Sequence, residues 1–160
     1  MRFCNPERKA IVYSGIDIAA YVVKRCHELK SAVSNLKLQK LLYFIQAYFL
    51  MVDGKPCFED KIEAWSFGPV VPSVYQVYKY YCAGSIPYFG DEKIGNISYP
   101  DRQKIDAIIN VFSGRSANEL VEITHRQSPW REAYVPYQNN EITIQSIREY
   151  FDGIRNAASN

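Results

Sequence analysis

The chain has 160 residues, the length of one ordinary domain, which buries roughly two thirds of its unfolded surface and needs no covalent staple. Its 19 Lys and Arg stand against 17 Asp and Glu, a net charge of +2, so composition makes no case for a phosphate-neutralising surface. Four cysteines without a CxxC pair, two distant histidines and no apolar signal region argue against a zinc site or a secreted disulfide framework and for a reducing cytoplasm, while 13 Tyr and 8 Phe favour a surface that meets other proteins.

Residues 1 to 13 show no sustained period and read as a lead-in whose Ile11 and Tyr13 touch the body. Ser14, with Asp17 three residues on, marks a helix start, and the helix runs to about Lys30. Ile18, Tyr21, Val22, Cys26 and Leu29 form its buried stripe, and Lys24, Arg25, Glu28 and Lys30 its wet face. His27 reads as a surface helix residue.

Ser34 to Val52 is the stretch on which the others depend. Leu38, Leu41, Leu42, Ile45, Tyr48, Phe49 and Val52 repeat at helical spacing, and Leu36, Tyr43, Phe44 and Leu50 fill much of the remaining circumference. Only a central helix needs so much apolar surface. Lys37 and Lys40 leave one narrow polar strip near its start, Ser34 or Asn35 caps it, and Gly54 supplies a left-handed end. The segment is too interrupted by Lys, Gln and Tyr to span a membrane.

After the turn at residues 53 to 56, KIEAWSF alternates weakly and predicts a short strand with Glu63 and Trp65 on one side and Ile62 and Ala64 on the other. Gly68 and Pro69 break it, and Pro72 opens a helix to about Cys82 with Val74, Val77, Tyr78 and Tyr81 inward and Tyr75, Gln76 and Lys79 nearer its edge. Residues 85 to 99 form an irregular loop. Pro100 opens a helix through Phe112 with Ile105, Ile108, Ile109 and Phe112 on one face, and Ser116 with Glu119 makes a capping box for a helix to His125 carrying Leu120, Val121 and Ile123. The Ser128, Pro129, Trp130 run opens a short helix. Glu141 to Thr143 forms a tiny strand able to pair with KIEAW, and a last helix carries Ile144, Ile147, Phe151 and Ile154 before a tail, 156 to 160, that should fray. The fold expected is mainly α: one compact multi-helix domain around a buried central helix, with at most a two-stranded β element.

No Walker loop, GxGxxG, GxSxG or HExxH is present, so the sequence offers no catalytic, cofactor-binding or metal-binding residues. A triad assembled from Cys57 or Ser66 with His125 stays open, since triads join distant residues. LKLQKLLY does not read as a DNA-recognition helix, which must expose Arg, Lys, Asn or Gln to base edges.

Three segments together resemble the Panacea domain, the antitoxin domain of SocA-like proteins: LKLQKLLY at 36 to 43, IEAWSFGPVVPSVY at 62 to 75, and THRQSPW at 124 to 130. Ser66 and Phe67 stand where that family more often has a basic residue and Tyr. The resemblance implies a mostly helical, non-enzymatic antitoxin of bacteria, phages or mobile elements, without cofactor, that binds a cognate protein toxin in the cytoplasm. It leaves three modes open: direct neutralisation, delivery of a bound toxin to a protease as an adaptor, and nucleic-acid-binding regulation, for which 160 residues leave no room for an added DNA-binding domain. Toxin contact is expected at Tyr75, Tyr78, Lys79, His125, Arg126 and Trp130. Leu38, Leu41, Leu42, Trp65, Gly68, Pro69 and Pro72 carry the structural motif, and Tyr75 and Trp130 fit that architectural role equally.

Overall fold

A computed structural model describes residues 12–90 and 94–159; Cys4 and Ile11 of the expected lead-in lie outside that range. Among the described residues, seven helices and three short strands follow one another as α1 (Gly15–Glu28), α2 (Asn35–Asp53), β1 (Ile62–Trp65), β2 (Gly68–Val70), α3 (Pro72–Tyr78), α4 (Tyr99–Phe112), α5 (Ala117–His125), α6 (Ser128–Ala133), β3 (Glu141–Ile142) and α7 (Ile144–Ala158). A single 3-10 turn, Lys79–Tyr81, extends α3.

α2 is the spine. Ser34 accepts the Lys37 N–H at its start, and Gly54, at φ 66°, takes the left-handed conformation that ends it. Around it pack α1, α3, α4, α5, α7 and β2, so Leu38, Leu41, Leu42, Tyr43 and Ile45 are fully buried. One apolar stripe would leave half a helix wet; neighbours on every side are what the all-round apolar sequence requires. Val52, in the last turn, escapes them and is exposed.

The expected polar strip does not exist as such. Lys37 reaches the surface and donates to the Ser113 carbonyl at 3.3 Å, but Lys40 is fully buried, its Nζ donating to the Pro69 carbonyl at 2.7 Å. The reason is the strand pair above it. Gly68 and Pro69 do not merely break β1: after a two-residue turn at Ser66 and Phe67 the chain doubles back as β2, pairing Glu63 with Val70, Ala64 with Pro69 and Trp65 with Gly68. β3 joins the other edge antiparallel, Ile62 opposite Ile142, as expected, giving three strands in the order β2-β1-β3 rather than two. Proline is tolerated in β2 because the Ala64–Pro69 position needs no N–H toward β1. Trp65 Nε1 donates to Glu63 Oε2 at 2.7 Å, so the two do share a face.

Caps hold where the sequence placed them, with small shifts. Ser14 accepts from the Asp17 N–H, and Ser116 and Glu119 form the reciprocal capping box. Ser98 caps α4, which puts Pro100 at its second position rather than its first, and Gln127, not Ser128, precedes α6. The inward stripes overreach at helix ends. Leu29, Val77, Tyr81, Ile144 and Ile154 are exposed and Tyr78 only half-buried, because the core ends before the helical period does. α7 stays helical through Ala158, into the tail expected to fray. Tyr13 is buried, donating to Asp101 Oδ2 at 2.6 Å.

Candidate functional site

The β1–β2 turn is held from two sides by side chains that bond its backbone. On one side, Trp130 Nε1 donates to the Trp65 carbonyl at 2.8 Å and His125 Nε2 lies 3.1 Å from the Ser66 carbonyl. His125 stacks on Trp130 at 4.0 Å between ring centres, and Trp130 on Tyr134 at 4.6 Å. A carbonyl only accepts, so Nε2 carries the proton in that bond and cannot serve as base toward the Ser66 hydroxyl. Cys57 sits elsewhere, buried in the core with its N–H donating to Gln46 Oε1, and burial pushes its thiol pKa up. Among the described residues, no hydrogen bond joins His125 to a thiol or a hydroxyl. Among the described residues no group of three or more His, Cys, Asp or Glu is placed to hold a metal ion.

On the other side, α2 grips the strand. Lys40 Nζ takes the Pro69 carbonyl and Gln39 Oε1 accepts the Val71 N–H at 2.9 Å. Gln39 Nε2 donates to Asn35 Oδ1, and Asn35 Nδ2 donates to the Tyr75 carbonyl at 3.4 Å, so one amide relay ties the spine to the start of α3. Gly68 closes the joint. At φ 96° it adopts a backbone conformation that suits glycine, and a Cβ there would stand 2.7 Å from Lys40 Cε and 2.8 Å from Thr124 Oγ1. Desolvation lowers the Lys40 pKa from 10.5 to about 7.

This bracing creates a groove of about 320 Å³ between the start of α2, the β1–β2 turn and α3 with its 3-10 extension. Leu36, Val70, Trp65 and Tyr75 line it, the last two packed edge to face at 4.9 Å. Phe67 at the turn is 66% exposed, and Tyr80, on the 3-10 extension that borders the groove, is 80% exposed.

The residues expected at a toxin contact therefore divide. Tyr75 and Lys79 line the groove, and Tyr78, on the same helix, packs partly against the core. His125 and Trp130 brace the turn from behind, and Arg126 is exposed at the end of α5. Of the structural motif, Leu38, Leu41 and Leu42 are core, Trp65, Gly68 and Pro69 build the strand pair, and Pro72 opens α3. No contact role was expected for Phe67, Tyr80 or Gln39, and Asn35 was expected only as an alternative cap of the central helix. Only the turn that exposes Phe67 had a signal, in the Gly-Pro that follows it.

The profile described as antitoxin SocA-like, Panacea domain, matches residues 38–131, from the first turn of α2 to α6. The chain is also similar to the protein named Antitoxin SocA of Caulobacter vibrioides, 32% identical over 124 residues, which cover 71% of this chain and 66% of that protein. No solved structure matches it. The matched region contains the spine, the strand pair and both clamps on the turn, and on that basis the chain belongs to the antitoxin SocA-like, Panacea domain family.

Proposed function

We propose that this protein is an antitoxin that neutralises a cognate protein toxin by binding it directly, without catalysis of its own, in the cytoplasm. The observation that carries the reading is the open aromatic face around the groove: Phe67, on a turn braced by Lys40, His125 and Trp130, and Tyr80, on the 3-10 extension, are exposed beside Tyr75 and Lys79. Rigid aromatic anchors contribute binding energy at low entropic cost, which is the property an inhibitor needs. Membership of an antitoxin family supplies the class of partner. A DNA-reading role finds no support in α2, the helix of the LKLQKLLY motif, because that helix is enclosed.

The test is co-expression with the product of the neighbouring gene, followed by gel filtration of the purified pair. Relief of growth arrest together with co-elution is the expected result. Failure of both would refute the reading. Relief that requires an ATP-dependent protease would replace direct neutralisation by adaptor delivery.

A further inference from the structure

The groove also specifies how a partner enters it. The two common routes to an open sheet are addition of a strand to its edge and insertion of side chains into a cleft. The first is blocked here. In the β1–β2 pairing Pro69 faces away from β1, so the outer edge of β2 would have to offer its N–H and carbonyl to an added strand. Pro69 has no N–H, its carbonyl is taken by Lys40, and the next N–H along, that of Val71, is taken by Gln39. No backbone group remains on that stretch for a partner strand to pair with.

What remains open is side-chain space of one charge sign. Among the described residues that line the groove Lys79 is the one charged side chain; the Glu63 carboxylate, which accepts from the Nε1 of the lining Trp65 at 2.7 Å, is not one of them. Its ammonium donates to Gln76 Oε1 at 2.8 Å and lies 5.6 Å from the centre of the Tyr80 ring; among the described residues it has no ion pair. The polar floor is already satisfied within itself, since the amides of Gln39 and Asn35 bond to each other and to the backbone of Val71 and Tyr75. An apolar side chain can therefore enter without leaving a floor group newly unpaired, and a cation beside it would be repelled.

Resting on the antitoxin reading, the geometry points to a toxin segment that inserts one large apolar side chain between Trp65, Tyr75, Leu36 and Val70 and sets a flanking Asp or Glu against Lys79. The charge pair selects the segment and the apolar anchor supplies the affinity. Because the pair sits at the exposed rim, its share weakens with salt whereas the anchor's does not.

Two variants of the full chain test this against the neighbouring gene's product, by calorimetry at two ionic strengths. Ala83→Trp fills the groove from its exposed margin, and Lys79→Glu reverses its charge. Both are expected to keep the wild-type melting temperature and to weaken binding at least tenfold. Reversing the matching acid of the toxin to Lys should restore the affinity of Lys79→Glu. Either variant binding within twofold of the wild type overturns the inference while leaving the antitoxin reading in place. A wild-type protein that neither binds nor rescues overturns both.

Discussion

Replacing Lys40 with methionine isolates the energetic cost of the joint between α2 and β2. The ammonium is wholly buried, and desolvation, the cause of its lowered pKa, acts with no carboxylate to offset it. A fall from 10.5 to about 7 makes burial of the cation cost on the order of 4 kcal/mol at pH 7 relative to the neutral amine. Methionine fills nearly the same space but strands the Pro69 carbonyl, which costs about 1–3 kcal/mol. Lys40→Met should thus be more stable than the wild type at pH 7 by about 1–3 kcal/mol, or roughly 3–10 °C in Tm for a chain of this size. The pH dependence gives the sharper signature. Between the folded and unfolded pKa values the unfolded state binds more protons, so this lysine makes stability rise with pH from about 7 to 10.5, by about 3 kcal/mol at pH 9.5. Methionine removes that slope, and near pH 9.5 the variant should lose its advantage or become the less stable of the two. Urea unfolding of both proteins at pH 7 and 9.5 reads the difference directly, other titrations cancelling. Parallel pH profiles for the two proteins would refute the account. So would a variant several kcal/mol less stable at pH 7, which would mean that the ammonium is compensated in a way the geometry does not contain.

Gly68→Ala should destabilise by about 2–4 kcal/mol, measured by urea unfolding, since its Cβ would overlap Lys40 and Thr124 at a positive φ. Trp130→Phe keeps the stack on His125 but drops the bond to the Trp65 carbonyl, and should cost about 1–2 kcal/mol in the same assay. Ser116→Ala removes half of a capping box and should cost about 1 kcal/mol with no effect on toxin rescue. Tyr75→Ala separates contact from packing: lost rescue at an unchanged Tm identifies a contact, and lost folding identifies a structural role.

Much of this architecture could be read from residues alone because the signals are local. Periodicity placed α2, Ser34 and Gly54 bounded it, and the Ser116–Glu119 spacing announced α5. The pairing of residues 141–142 with β1 was also expected. The joint was not. A lysine on a helix looks the same in sequence whether it meets water or a carbonyl, and Lys40 is buried only because β2 folds over it. Gly68 and Pro69 carry the chemistry of a break, and their use as a strand depends on which side the missing N–H faces, a tertiary fact. Tyr75 and Lys79, expected at a contact, line the groove, whereas Phe67 and Tyr80 owe their exposure to a turn and a 3-10 extension that propensity does not fix. His125 and Trp130, equally prominent in sequence, brace the turn from behind.

Growth rescue by the full chain, co-expressed with the product of its neighbouring gene in cells that lack their ATP-dependent proteases, bears most directly on the central claim. The account expects rescue undiminished, with a stable complex recovered and rescue lost on Ala83→Trp. Toxicity that returns when the proteases are removed, although toxin is still bound, would contradict it.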